Sequence, residues 1–293
     1  MKANLNTLTL ALTLALPAPA MALSITTSAD HDALANALVG SSGITISNVT
    51  HVGTDTQQGF FSDGIAAGIG IDGGVILTSG NATNALPPNN SDSQGTSTGT
   101  GSDAQLTALS GYPTYDKNLL EFDFTTTSGN LFFSYVFASE EYNEYTNSSV
   151  NDVFGFFVDG VNIALIPGTS TPVSINTVNC GYSSGGALPG TNPENCDKFN
   201  NNDLQNGGGN FAIEYDGFTN VFVASALNLG AGTHHMKLAI SDAGDTVFDS
   251  AVFLKGGSFS ETDPGNGVPE PASLALLGIG MAGLAAMRRR KAA

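Results

Sequence analysis

Basic residues are scarce in this chain of 293 residues, in which nine Lys and Arg stand against 26 Asp and Glu, for a formal net charge of −17. Nucleic acids are therefore excluded as partners, because binding to them depends on basic side chains that neutralise phosphates. The chain has only two Cys and no Trp, and two cysteines cannot form a zinc or redox framework without other ligands. Hydrophobic residues nevertheless make up 41% of the chain, enough for a sizeable core.

The first 22 residues have the features of a secretory signal peptide. Lys2 precedes an apolar run over residues 8–16, and Pro17 ends that run. Residues 20–22 (Ala-Met-Ala) then supply the pattern of small residues that signal peptidase cleaves. We therefore expect signal peptidase to remove residues 1–22 and the rest of the chain to be exported.

The last 26 residues combine the motif Val268-Pro269-Glu270-Pro271, an apolar run over residues 272–287 and a basic tail over residues 288–291. Sixteen helical residues at about 1.5 Å each fall short of a ~30 Å hydrocarbon core, so the run is a marginal transmembrane helix. The basic tail is expected to stay in the cytoplasm. Residues 261–267 form a linker in front of the motif.

This three-part end resembles the PEP-CTERM sorting signal of Gram-negative bacteria over residues 268–293. The resemblance implies an exosortase-type membrane peptidase as a partner, which recognises the motif formed by Val268, Pro269, Glu270 and Pro271 and removes the helix. It also implies a precursor anchored in the inner membrane and a processed protein at the cell surface or outside the cell. An ordinary C-terminal anchor is the alternative.

The exported part is more acidic than the whole chain. Between the two signals, four lysines and no arginine remain against 25 acids, a formal net charge of −21. Such a surface repels phosphates and anionic lipids and attracts divalent cations.

Short apolar or alternating segments between turn residues predict an all-β fold. Residues 131–137 are apolar on both faces, as is typical of a central strand, and Asp159-Gly160 between two apolar runs indicates a hairpin with a type I′ turn. Helix is predicted over residues 30–40 and, as one or two turns, over 103–110. We expect a jelly-roll-like β-sandwich over residues 23–260 with one or two short helices, flanked by the signal peptide and the C-terminal apolar helix.

Two regions between the predicted strands are rich in Gly, Asn, Ser and Pro. Residues 84–102 are expected to form a mobile polar loop. Cys180 and Cys196 lie in the other region, and in an oxidising exported compartment they are expected to pair. Such a bridge stabilises the fold by on the order of 3 kcal/mol.

Acidic residues concentrate in two segments, 139–152 and 241–250, and neither contains a lysine. Adjacent carboxylates repel one another, and Ca²⁺ relieves that repulsion by taking six to eight oxygen ligands in irregular loops. We therefore expect a calcium site that uses at least one segment, while solvated acidic turns are the alternative. The candidate metal ligands are Glu140, Glu141, Asp152, Asp242, Asp245 and Asp249.

The first acidic segment also permits an enzymatic hypothesis, a secreted hydrolase that acts on polysaccharide. Glu140 with Glu144 or Asp152 would supply the acid and the base of such an enzyme. This chemistry needs two carboxyl groups about 5 Å or about 6.5–9.5 Å apart across a cleft.

Several stretches resemble the choice-of-anchor L domain of bacterial surface proteins. They include residues 73–80, 133–142, 151–157 and 240–245, and the resemblance extends from about residue 59 to residue 254. It implies a surface-displayed β domain and no catalytic residues.

The leading hypothesis is an exported, exosortase-processed and non-enzymatic protein of the cell surface or extracellular matrix. Its calcium-stabilised domain would take part in adhesion or biofilm association, through exopolysaccharide or a neighbouring surface component. A purely structural coat protein without a specific ligand is a third alternative, beside the hydrolase.

Overall fold

A computed structural model describes residues 22–40 and 43–264. The predicted signal peptide apart from Ala22, the sorting signal with its apolar run 272–287 and the last part of the linker lie outside these residues. None of the helices in residues 22–40 and 43–264 is long and apolar enough to cross a membrane.

The described residues form two antiparallel sheets, which confirms the predicted all-β sandwich. The strands are β1 Ser24–Thr27, β2 Thr45–Val52, β3 Gln58–Ser62, β4 Gly74–Thr78, β5 Thr114–Thr126, β6 Leu131–Ser139, β7 Val153–Val158, β8 Val161–Asn162, β9 Phe199–Asn201, β10 Gly217–Thr219, β11 Phe222–Ala226, β12 Gly232–Ala243 and β13 Ser250–Lys255. The larger sheet has the order β1-β3-β4-β13-β6-β10-β9, and β11 pairs with β6 as well. The smaller sheet has the order β2-β5-β12-β7-β8.

The two sheets face each other across a core of aromatic side chains. Phe133 and Phe137 of β6 point towards the smaller sheet, where their ring centroids lie 5.0 Å from Phe156 and 4.9 Å from Phe154. Phe122 of β5 joins the same cluster, as the alternation of that strand predicts. Each buried side chain of this size contributes about 1.5–3 kcal/mol relative to an exposed one, so this core holds the sheets together.

The outer faces of the sheets are covered as well, which explains why β6 is apolar on both faces. Val136 and Ala138 point away from the smaller sheet and are buried in a second cluster with Ile69 and Tyr215 from the connecting segments. The prediction of a central strand is thereby confirmed, because β6 pairs with β13 along one edge and with β10 and β11 along the other.

Three α-helices lie in the described residues: α1 (His31–Leu38), α2 (Gly64–Ala67) and α3 (Ala104–Ser110). The sequence predicts α1 and α3, whose first turns are capped by the side chains of Asp30 and Asp103. The helix α2 was not predicted, because it has only four residues and no side-chain cap.

The predicted hairpin at Asp159-Gly160 is present, with φ angles of 49° and 85°. Its second strand, β8, is shorter than the sequence suggests. The Asn162 side-chain oxygen accepts from the backbone N–H groups of Phe156 (3.0 Å) and Ala164 (3.1 Å), so this side chain replaces strand pairing just beyond the turn.

The predicted disulfide bond is also present. Cys180 and Cys196 are bonded with their Cα atoms 4.5 Å apart, within the range that disulfides adopt. The bond cross-links the long connection between β8 and β9.

Candidate metal centres

Acidic residues gather at one end of the sandwich because of the direction in which the strands run. Glu141 follows β6, Asp152 precedes β7, Asp249 precedes β13, and Asp242 lies near the end of β12. Since β13 is antiparallel to β6 and β7 is antiparallel to β12, these strand ends all meet at the same end.

A β-bulge at this end positions two further carboxyl groups. The pairing of β12 with β5 shifts by one residue between Ile240 and Asp242, and Asp116 on β5 has a positive φ of 51°. An extra residue in one strand re-aims its neighbours. The side chains of Asp116 and Asp242 are both buried, at 1% exposure.

We call this group the strand-end centre; its members are Asp116, Glu141, Asp152, Asp242, Asp245 and Asp249. Asp152 is well satisfied, since it accepts from the Ser250 hydroxyl (2.7 Å) and from the Ala243 N–H (2.9 Å). In contrast, both carboxylate oxygens of Asp242 are buried without a hydrogen-bond partner among the described residues, and so is one oxygen each of Asp116 and Glu141. Leaving a buried polar atom unpaired costs about 1–3 kcal/mol, and more when it is charged.

Burial raises the pKa of the carboxyl groups in the strand-end centre. The pKa of Asp242 is well above its usual range, first through burial and then through the neighbouring Asp152. Burial and the same neighbour raise the pKa of Glu141. Carboxylates that are both crowded and dry are stable only when protons or a cation neutralise them.

Connecting segments build a second group around Asp92, Asp203 and Asp216. One carboxylate oxygen from each of these residues lies within 4.8 Å of the other two. Asp203 follows β9 and Asp216 precedes β10, and the pairing of these two strands makes the two residues neighbours. We call this group the loop centre; its members are Asn89, Asp92, Glu140, Asn143, Glu144, Asp203 and Asp216.

Two amide side chains orient the carboxylates of the loop centre. Asn89 donates from Nδ2 to Asp216 Oδ1 (2.8 Å), and Asn143 donates from Nδ2 to Asp203 Oδ2 (3.1 Å). The Oδ1 atoms of both amides, Asp216 Oδ2 and one oxygen of Glu140 are buried without a hydrogen-bond partner in the described part of the chain. These are carbonyl and carboxylate oxygens, the donors that Ca²⁺ takes.

The pKa values of the loop centre are raised as well. Burial, with the nearby Asp216, raises the pKa of Glu140 to about 9. Burial, with repulsion from Asp203, raises the pKa of Asp216 to about 8 and that of Glu144 to about 6. Negative charge is thus disfavoured in this centre when no cation is bound.

The polar loop over residues 84–102, which the sequence predicts to be mobile, is tied to both centres instead. Its backbone N–H groups donate from Gln94 to Glu140 (3.0 Å), from Thr96 to Asp249 (2.9 Å) and from Gly99 to Asp116 (2.6 Å). The polar composition of the loop therefore reflects its contacts with carboxylates.

Basic side chains lie elsewhere. In residues 22–40 and 43–264, the lysine ion pairs join Lys198 to Asp197 and Lys237 to Asp103, and neither acid belongs to a centre. The negative charges of both centres are therefore left to protons or to an external cation.

The predicted ligands are grouped by space and not by chain order. The two acidic segments together contribute Glu141, Asp152, Asp242 and Asp249 to the strand-end centre, and Asp245 lies half-buried at its rim. Glu140, although adjacent to Glu141, points into the loop centre. Ion binding by these residues stays a prediction.

Sequence reasoning missed Asp92, Asp116, Asp203 and Asp216. Each is a single acid far along the chain from the others, so none forms a local cluster. The one available signal is the Asn-rich run over residues 200–202, which directly precedes Asp203.

The carboxyl pair of the hydrolase hypothesis is inaccessible to a polysaccharide. Glu140 and Asp152 are 0% and 1% exposed, and they lie in different centres. A nearby cleft of about 660 Å³ is lined by Phe199, Asn201 and Gln205, among others, and its lining contains no Asp or Glu. The geometry gives no support to catalysis by this pair.

Comparison with protein-family models identifies a Choice-of-anchor L domain over residues 24–260 and a PEP-CTERM protein-sorting motif over residues 267–291. The first match contains both centres, and the second coincides with the predicted sorting signal. No curated protein and no solved structure matches the chain.

Proposed function

Because the chain belongs to the choice-of-anchor L family and carries a PEP-CTERM protein-sorting motif, which marks an exported protein sorted to the cell surface, we propose that its domain is a calcium-stabilised, non-enzymatic surface or matrix module. The domain takes part in adhesion, through contact with exopolysaccharide or a neighbouring surface component. An exosortase processes the precursor at the sorting motif.

The observation that carries the calcium proposal is the set of buried, unpartnered oxygens at one end of the sandwich. They include both oxygens of Asp242 and one oxygen of Asp216, and no lysine ion pair of the described residues reaches them. All donors in both centres are oxygens, which suits calcium better than the softer transition metals. Calcium also accepts six to eight ligands in irregular geometry, whereas Mg²⁺ demands a near-ideal octahedron.

Calcium binding to the two centres would stabilise the fold by mass action. A ligand that binds only the folded state contributes about 4 kcal/mol when its concentration is 1,000 times the Kd. The exported location places the domain where extracellular modules bind calcium with a Kd of about 10⁻⁴–10⁻³ M.

Calorimetric titration of the metal-free purified protein with CaCl₂ tests this proposal. We expect binding at both centres, with Asp216→Asn abolishing binding at the loop centre and Asp242→Asn abolishing it at the strand-end centre. Asp197→Asn is the matched control, because Asp197 is exposed and pairs with Lys198 outside both centres. Absence of calcium binding by the wild-type protein would refute the proposal.

The adhesion part is tested separately, by co-sedimentation with exopolysaccharide-coated beads. We expect the calcium-loaded protein to sediment with the beads and the chelated protein to stay in solution. No reducing sugar should be released during the incubation. Release of reducing sugar would restore the hydrolase hypothesis, and equal sedimentation in both conditions would separate adhesion from calcium.

A further inference from the structure

Three segments bring two histidines and an aspartate together, away from the carboxylate centres. His31 is the first residue of α1, His51 lies near the end of β2, and Asp55 begins a short 3-10 helix over Asp55–Gln57. One potential ligand atom from each residue lies within 4.8 Å of the other two. The two imidazole ring centroids are 4.4 Å apart, and His31 Nε2 lies 3.6 Å from Asp55 Oδ1.

The hydrogen bonding of Asn118 orients the ring of His51. Asn118 donates from Nδ2 to the carbonyl oxygens of Gln57 (2.7 Å) and Thr78 (3.2 Å), so its Oδ1 must be the acceptor for His51 Nε2 at 2.9 Å. His51 Nε2 therefore carries the proton, and Nδ1 holds the lone pair. Metal-binding histidines typically donate their other ring N–H to a carbonyl or carboxylate in this way.

His31 presents a second nitrogen that the protein leaves unused. Its Nε2 atom is buried and has no hydrogen-bond partner among the described residues. The 3.6 Å to Asp55 Oδ1 is too long for a hydrogen bond. An ion between the two groups would satisfy both at once.

We propose that His31, His51 and Asp55 bind a single Zn²⁺ ion, or a related transition-metal ion, as a site separate from the calcium centres. Two imidazole nitrogens and one carboxylate are typical zinc ligands, and three protein ligands leave a position for water. Nitrogen donors distinguish this site from the two centres that have only oxygen donors. The exposed position of Asp55 leaves the ion accessible from solvent.

Zinc titration of the purified protein in excess calcium tests the proposal. We expect one zinc ion per chain, and a loss of affinity of at least about tenfold in His31→Ala and in His51→Ala. His235→Ala is the matched control, because His235 is exposed and contacts Asp123 and Glu121 on another part of the surface. Zinc binding that survives both His31→Ala and His51→Ala, or that is lost in His235→Ala, would overturn the assignment.

A spectroscopic readout separates ligation from a general effect on folding. With Cu²⁺ in place of zinc, the electron paramagnetic resonance spectrum of the wild type should show coupling to two imidazole nitrogens. His31→Ala and His51→Ala should each reduce this to one nitrogen, while both variants keep the calcium affinity of the wild type. A spectrum with coupling to one nitrogen or to none in the wild type would contradict the proposed pair.

Discussion

The protein buries carboxyl groups in two different ways. Asp103, at the start of α3, accepts from Lys237 Nζ at 2.5 Å and from the N–H groups of Gln105 and Leu106 at 3.0 and 3.1 Å. Burial raises the pKa of Asp103, but these donors outweigh it and the pKa is lowered overall. In the strand-end and loop centres the carboxyl groups have no such cation, and the pKa values of members such as Asp242 and Asp216 are raised.

The difference shows where the fold depends on its surroundings. Asp103 and Lys237 form a self-sufficient pair, because the chain supplies both charges and the backbone donors. The two centres are incomplete in this sense, since the chain supplies only oxygens. We expect the pair to act independently of dissolved metal and the centres to depend on it.

Asp242→Asn should produce the largest effect and should depend on calcium. With calcium at 1,000 times the Kd, loss of the ion from this centre costs about 4 kcal/mol, or roughly 8–16 °C in melting temperature for a domain of this size. In metal-free protein the variant should be at least as stable as the wild type, because Asn removes a charge that repels Asp152. Scanning calorimetry with and without chelator measures both differences.

Asp103→Asn serves as the contrast for that experiment. Its loss of stability should be the same with and without calcium, because Lys237 stays in place as its partner in both conditions. An equal loss for Asp242→Asn in the two conditions would remove the distinction between the centres and the ion pair.

Lys237→Ala should have the next largest effect. The side chains of Lys237 and Asp103 are each 11% exposed, and removing one member of a buried ion pair costs about 3–5 kcal/mol. Calcium should not alter this loss. Lys198→Ala is the control, because its partner Asp197 is 75% exposed and exposed pairs contribute at most about 1 kcal/mol. Similar losses in the two variants would argue against a special role of the buried pair.

The dependence of stability on pH should show a smaller effect of opposite sign in the two regions. In metal-free protein, Glu140 and Asp216 have folded-state pKa values of about 9 and about 8. The folded state therefore binds protons more tightly than the unfolded state, and stability should rise as pH falls from about 9 towards about 5. The lowered pKa of Asp103 acts in the opposite direction, because its contribution is present above its ordinary value near 3.8 and is lost as pH falls further.

Thermal melts of metal-free and calcium-loaded protein across pH 3 to 9 would measure these slopes. Calcium should remove the rise in stability on going from pH 9 to pH 5, because calcium replaces protons as the neutralising charge. Loss of stability below about pH 4 should occur in both forms. A flat profile for the metal-free wild type between pH 5 and pH 9 would show that the carboxyl groups do not sense burial as described.

Local sequence patterns predicted much of the sandwich. The two-sided apolar pattern of residues 131–137 identified a central strand, and Asp159-Gly160 identified a turn whose residues need positive φ. Both patterns act over a few neighbouring residues, so they can be recognised without knowing the rest of the fold. The helix α2 escaped prediction because four residues without a cap carry too little pattern.

The metal centres were only half predictable for the opposite reason. Glu140 and Glu141 are adjacent in sequence, yet successive side chains point in different directions, and they enter different centres. Asp92 and Asp216 are far apart along the chain, and only the pairing of strands and the packing of the 84–102 loop bring them together. Nothing in the immediate neighbourhood of either residue signals its partner.

The sequence by itself determined that the chain is exported, acidic, rich in strands and almost without basic side chains to neutralise its acids. These properties follow from composition and from short patterns. The tertiary structure alone decided which acids meet, because strand register, one β-bulge and the contacts of a long loop are interactions between distant segments. It also decided that Asp103 has a lysine partner while the acids of the two centres have none, and that His31, His51 and Asp55 lie side by side.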